Sequence, residues 1–309
     1  MTSPQLAAIE RLAAARPDAV SVLAIVEGQP IHSFAFGTGK PVLLVVGGVH
    51  GLERIGCEVA TAFLQSFIQR LAWDQILRAS LEQCRVIVVP LLNPIGMAKS
   101  QRANGNGVDL MRNAPPHALG GTPFLGGQQY SAKLPWYMGK PSAPMETEAA
   151  ALVELVDRVL ADAPFSIALD CHSGYGFIDR LWYPYARTRE PIPDAPAIAA
   201  LTRLLDDTLP HHVYRCEQTA QAYTIRGDLW DYLYDRHREG RVFLPLTLEM
   251  GSWTWVRKNP LQGLSSLGRF NPIEPHRHRR TLRRHVPLFE FLLHATISHQ
   301  NWLNSVNPP

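Results

Sequence analysis

The chain has 309 residues, 46% hydrophobic and 18% charged, with a net charge of +3 and a mean hydropathy of −0.08. That length carries one large α/β domain with a substantial core. The near balance of 30 basic and 27 acidic residues implies no nucleic-acid partner, and the lack of any 18-residue apolar run excludes a membrane-spanning helix.

The first apolar stretch contains Glu10, Arg11 and Arg16, so residues 4–16 read as an amphipathic surface helix rather than a secretion signal. Strands are predicted over 20–26 and 31–36, with Gly28 in the turn between them. The run 41–47 (PVLLVVG) is Val/Leu-rich and bounded by glycines, the pattern of a buried strand. Residues 55–71 carry Val59, Phe63, Phe67 and Leu71 at helical spacing. A buried strand follows over 85–92, then a Gly/Pro/Asn-rich loop over 93–145, long enough to be functional. A helix is expected from about 144 to 160, strands over 165–169 and 181–185, and helices over 195–209 and 228–238. A last buried strand over 242–248 and a helix over 282–297 complete the chain. Alternating strands and helices predict a single α/β domain with a mixed, mainly parallel sheet covered by helices on both faces. Its catalytic core would span 40–255, with 1–38 and 256–309 as flanking segments. Cys57, Cys84, Cys171 and Cys216 form no CxxC pair and lie in or beside apolar runs, which suits buried free thiols and a cytoplasmic protein.

Chemistry-bearing residues gather where these strands end. His50 and Glu53 stand three apart between a strand and a helix, where open α/β sheets place their ligands. His172 follows the strand 165–169 in the same manner. Two imidazoles and a carboxylate are an ordinary ligand set for a catalytic zinc, which keeps a further position for water. Glu249 ends the strand 242–248 and suits a general base. Arg102 and Arg112, in a Gly/Asn-rich loop, suit an anionic group, because guanidinium pairs with carboxylates in a bidentate manner.

Five ordered blocks resemble the zinc carboxypeptidase (metallocarboxypeptidase) family: His50-Gly-Leu-Glu53, Asn93-Pro-Ile-Gly96, the segment Arg102 to Asn113, His172-Ser173 and Leu248-Glu249. Met145-Glu-Thr-Glu148 resembles the family's helix start. The resemblance covers about residues 40–255. It implies one zinc ion per chain held by His50, Glu53 and His172, with Glu249 as general base and then general acid. It further implies Arg102 at the scissile carbonyl, Arg112 on the substrate's terminal carboxylate, and Asn113 and Tyr223 in substrate binding, Tyr223 as the mobile tyrosine ahead of Tyr232 and Tyr234. The implied substrate is a peptide or small amide with a free carboxylate. Met111 departs from the family, which carries Asn there, and removes one donor from the carboxylate clamp. Together with the lack of a pro-segment, this argues against the digestive type.

Two other substrate classes suit the same fold: a cell-wall peptide amide, as in murein peptide amidases, and an N-acyl amino acid. A non-catalytic binding module would show a lost ligand or a lost final glutamate, and a metal sensor is a further option; the four residues are all present. The basic run 276–284 reads as a surface stripe at the entry to the last helix, and His211-His212 as loop or edge strand. Trp253 and Trp255 suit either pocket wall or core.

Overall fold

A computed structural model describes residues 2–115 and 126–303. The chain runs α1 (Pro4–Ala15), β1 (Val20–Val26), β2 (Gln29–Phe36), β3 (Val42–Gly47), α2 (Arg54–Arg70), α3 (Gln75–Ser80), β4 (Arg85–Val89) and α4 (Pro94–Lys99). It continues with α5 (Thr147–Leu160), β5 (Phe165–Ser173), β6 (Asp179–Tyr183), α6 (Ala195–Thr208), β7 (Tyr214–Gln218), α7 (Leu229–His237) and β8 (Val242–Met250). The last elements are α8 (Trp253–Lys258), α9 (Ser266–Phe270), α10 (Pro275–Ile297) and α11 (His299–Leu303).

The eight strands form one sheet in the order β1-β2-β4-β3-β5-β8-β6-β7. The β4-β3-β5-β8 centre is parallel, as is β6-β7, while the β1-β2, β2-β4 and β8-β6 pairs are antiparallel. The alternation along each central strand builds two cores. Leu43 and Val45 of β3, with Ile167 and Leu169 of β5, face α1, α2, α6 and α10. Val42, Leu44 and Val46, with Ala168, face α5 and α7. A sheet buried on both faces is what near-continuous apolar strands require. The flanking segments share these cores: Leu6 and Phe34 at one end of the chain, and Phe289 and Leu292 at the other, lie in the first of them.

Several boundaries differ from expectation, among them the end of β4 at Val89 and the span of β6, Asp179–Tyr183. β5 extends to Ser173 and β8 to Met250, so His172 and Glu249 lie inside paired strands rather than after them. α10 starts at Pro275, seven residues early, so the basic run is helical. Three of its basic side chains are tied to other elements. Arg277 donates to the Trp255 and Lys258 carbonyls, His278 meets Glu58, and Arg284 meets Asp179. The loop expected over 93–145 contains α4 and a 3-10 turn, Leu110–Arg112; its residues 116–125 lie outside the described residues. Trp253 is exposed and donates to the Gly174 carbonyl, and Trp255 packs on the core. His212 pairs with Asp206. No helix among the described residues is long and apolar enough to cross a membrane.

Candidate metal centre

The carboxyl ends of β3, β5 and β8 converge. His50 sits in the turn after β3, and Glu53 begins α2 without using its side chain as a cap. Gly56 brings α2 against β5: a Cβ there would lie 2.1 Å from the Cys171 carbonyl oxygen. Gly51 is equally constrained, since a Cβ would lie 1.9 Å from the backbone of Gly96. These contacts place the His50–Glu53 turn directly over His172.

His50 Nδ1 is 2.9 Å from Glu53 Oε1, and His172 Nδ1 is 3.1 Å from Glu53 Oε2 and 3.1 Å from His50 Nδ1. One ligand atom from each of the three residues lies within 4.8 Å of the others, and all three residues are buried. The far ring nitrogens fix the tautomers. His50 Nε2 lies 3.0 Å from Asp109 Oδ1, and His172 Nε2 lies 2.7 Å from Asp170 Oδ2. Ionised carboxylates only accept, so both Nε2 atoms carry a hydrogen, and in the neutral imidazoles that a metal requires both Nδ1 atoms present lone pairs. Two lone pairs and a carboxylate aimed at one point repel unless a cation joins them. The donor set therefore fits a zinc ion held by His50 Nδ1, Glu53 and His172 Nδ1, with carboxylates orienting each imidazole as metal sites require.

The surrounding charges are arranged accordingly. Arg102 donates from Nε to Asp109 Oδ2 at 2.8 Å and from Nη1 to Glu53 Oε1 at 3.1 Å, leaving its head at the cavity. Arg112, buried, donates from Nη1 to Asp109 Oδ2 at 2.9 Å. Burial works to raise the carboxyl of Asp109, but Arg102, Arg112 and His50 hold it well below the usual carboxylate range. Burial also opposes ionisation of Glu53, and the two imidazoles outweigh it and hold the carboxyl low. Glu249 stands beside His172 in the β5/β8 register and accepts from the Tyr175 N–H at 2.9 Å. Burial, then the Glu53 charge, pushes its carboxyl up to about 8. A dication among the ligands would pull it down again.

One cavity of about 700 Å³ is lined by His50, Glu53, His172, Arg102, Arg112, Tyr223 and Glu249. Tyr223 packs edge-on to Trp182 at 5.8 Å and against Tyr175 at 5.7 Å. Its withdrawal from water raises the phenol to about 12. Tyr234 is core, donating to Asp194. Asn113 departs from expectation. Its amide donates to the Met138 carbonyl at 2.9 Å and its oxygen accepts from the Glu146 N–H at 2.6 Å, so it braces two loops and lines no part of the cavity. Asp109 and Asp170 are the functional residues that sequence reasoning left without a role. Asp170 had a signal: residues two apart on a strand share a face, so it had to lie beside His172. Trp230 completes that arrangement by donating its indole N–H to Asp170 Oδ2 at 2.8 Å.

An eight-stranded α/β sheet with a buried two-histidine, one-carboxylate set at its carboxyl edge defines a metallohydrolase architecture. The profile of the zinc carboxypeptidase family matches residues 6–254, and the chain belongs to that family. Carboxypeptidase A1 of Rattus norvegicus is 24% identical over 215 residues, 63% of this chain and 48% of that protein. Carboxypeptidase A1 of Homo sapiens is 25% identical over 215 residues, again 63% of this chain and 48% of that protein. The chain thus spans about half the length of these curated relatives. In fold it is similar to thrombin-activatable fibrinolysis inhibitor, with a TM-score of 0.68 at 17% identity over 96% of this chain and 72% of that one. It is also similar to carboxypeptidase A from Helicoverpa armigera, with a TM-score of 0.63 at 16% identity over 93% and 71%. A metallocarboxypeptidase from Burkholderia cenocepacia gives 0.58 at 14% identity over 94% and 69%.

Proposed function

We propose that the chain is a zinc-dependent carboxypeptidase that hydrolyses the amide bond before a residue with a free carboxylate. The observation that carries this reading is the convergence of the three ligand atoms with Glu249 and Arg102 in one cavity. When bound, zinc supplies Lewis acidity to water and to the scissile carbonyl. Glu249 takes the proton of the attacking water and returns it to the leaving nitrogen; burial raises its affinity for a proton, and a dication among the ligands would offset that rise so that the ionised carboxylate is available as base. Arg102, already held in place by Asp109 and Glu53, offers its guanidinium to the oxygen on which negative charge develops, so little reorganisation accompanies the reaction. Arg112, with Nη1 fixed on Asp109, receives the terminal carboxylate. Met111 lines the cavity beside it and adds no donor. Tyr223, packed against Tyr175 and Trp182 in the cavity lining, covers the bound residue and excludes water.

The test is hydrolysis of N-blocked dipeptides by zinc-loaded protein, followed by Glu249→Gln. Full activity in Glu249→Gln, or a purified protein that binds no stoichiometric zinc, ends this reading.

A further inference from the structure

The charge of this chain is unevenly spread. Residues 252–284 carry eight arginines and lysines against one acid, Glu274, a net +7; the whole chain is +3, so the remainder is −4. The metal centre uses none of the cations on α10.

The first turns of α10 are two-sided. Thr281, His285 and Leu288 are buried. His276, Arg279, Arg280 and Arg283, spaced i, i+3, i+4 and i+7, share one exposed face. Unlike Arg284, the three arginines of that face have no ion pair among the described residues. Like charges at this spacing destabilise a helix, so the stripe does not serve the helix that carries it.

The link from β8 to α10 adjoins this stripe, through Arg277 on the Trp255 and Lys258 carbonyls. It holds the 3-10 turn Pro260–Leu264. Leu261 and Leu264 lie three apart, on one side of that turn, and are 76% and 81% exposed. The turn is not loose. Gln262, between them, is buried and donates to the Gly268 and Asn271 carbonyls at 2.6 and 3.1 Å. Asn271 in turn accepts from the Ile55 N–H at 2.9 Å and donates to the Leu52 carbonyl at 2.8 Å. Both leucines are therefore held outward by a rigid support. Arg257 and Lys258, exposed, precede them, and Arg269 follows, donating to the Gly263 carbonyl at 2.8 Å. Phe177 and Trp253, 52% and 54% exposed, meet edge-on at 6.1 Å, with the Arg257 guanidinium 5.4 Å over the Phe177 ring.

Apolar tips set among unpaired cations narrow the choice of occupant. A second copy of the chain would bring one strongly positive face against another. A nucleic acid would leave the two leucines facing phosphates. An anionic bilayer meets both demands: its headgroups attract the cations, and its acyl boundary takes the leucines and the indole.

We propose that residues 253–264 and the adjoining stripe of α10 form a docking surface for an anionic lipid membrane. Leu261, Leu264 and Trp253 enter the headgroup layer, and Arg257, Lys258, Arg279, Arg280 and Arg283 supply the attraction. Arg269 and Phe270 line the cavity, so the docking surface borders its mouth. The proposal is independent of hydrolysis.

The experiment is co-sedimentation of the full zinc-loaded chain with vesicles of phosphatidylcholine alone or of an equimolar mixture with phosphatidylglycerol. Binding to the mixed vesicles alone is expected, weakening as salt rises. Each cation near such a surface contributes about fivefold in affinity, so the variant Arg279→Gln, Arg280→Gln, Arg283→Gln is expected to bind about 100-fold more weakly. Leu261→Ser with Leu264→Ser is expected to lose about tenfold or more and to keep the salt dependence. All five positions are exposed, and urea unfolding checks that both variants fold as wild type does. No binding to the mixed vesicles at low salt, equal binding to phosphatidylcholine alone, or full binding by either folded variant overturns the proposal. Duplex DNA or polyglutamate bound as tightly as the mixed vesicles, and equally by the leucine variant, marks a general polyanion surface and overturns it too.

Discussion

Asp170 offers a clean measure of what an orienting carboxylate contributes to the metal centre. It is fully buried in β5, and its Oδ2 accepts from both His172 Nε2 at 2.7 Å and Trp230 Nε1 at 2.8 Å. Its Oδ1 has no partner among the described residues. Asp170→Asn can therefore keep both hydrogen bonds on the amide oxygen and place the NH2 where Oδ1 stood. Only the charge is lost from the His172 side. Removing such a partner costs about 10- to 100-fold in metal affinity, or about 1.4 to 2.7 kcal/mol. The unpaired amide N–H destabilises the fold by about 1–3 kcal/mol, but it does so with and without metal and cancels from the affinity. Competition of metal-free protein against a zinc-chelating dye measures the loss, and urea unfolding of the same preparation confirms the variant is folded. A folded Asp170→Asn that binds zinc within twofold of wild type would refute the argument that these carboxylates tune the imidazoles.

Metal removal is expected to lower the melting temperature by several degrees, because a ligand at 1,000 times its Kd stabilises by about 4 kcal/mol; zinc restores it in wild type but not in His50→Ala. Glu249→Gln keeps an oxygen for the Tyr175 N–H, so it is expected to retain this zinc-dependent stabilisation while kcat falls about 10²- to 10⁴-fold. Gly56→Ala forces a methyl to within 2.1 Å of the Cys171 carbonyl oxygen, with an expected loss of about 2 kcal/mol or more in urea unfolding. His285 is buried and accepts from the Tyr214 hydroxyl at 2.9 Å, and burial lowers its imidazole to about 4 despite Asp179. The unfolded chain takes up this proton as the pH falls through about 6.5 while the folded chain does not. Stability is thus lost on acidification, by about 2 kcal/mol between pH 7 and pH 5 from this group. The difference in unfolding free energy between those pH values should shrink by that amount in His285→Gln.

Much of the centre was legible because its parts lie at short range or at element ends. His50 and Glu53 are separated by one tight turn, and His172 and Glu249 close two apolar strands. The sheet sets those strands side by side, pairing His172 with Glu249. What the sequence concealed was set at long range. The pairing of His50 with Asp109 spans 59 residues and follows from no local period. The start of α10 was concealed by its charge. Cations disfavour a helix N-terminus, yet Pro275 opens the helix and the contacts of Arg277, His278 and Arg284 with distant elements offset the repulsion.

The block from Asp109 to Asn113 shows why a motif can be read as a whole and still mislead at one residue. Its middle, Leu110–Arg112, is a 3-10 turn, capped by Asp109 Oδ1 on the Met111 N–H. At three residues per turn, positions three apart lie on one side. Asp109 and Arg112 therefore meet at 2.9 Å and face the metal ligands together. Asn113 is one step further round, about 120° from Arg112, and that rotation carries it to Met138 and Glu146 instead of the cavity. Met111, one step before Arg112, turns back to the cavity wall. The same turn thus delivers an anion beside His50, the cation proposed for the substrate carboxylate and an apolar wall. Asn113→Ala should accordingly lower stability through its two lost backbone bonds, by about 1–3 kcal/mol, with KM for N-blocked dipeptides unchanged in the fraction that remains folded. A KM raised tenfold in folded protein would return Asn113 to the substrate site and break this geometric account.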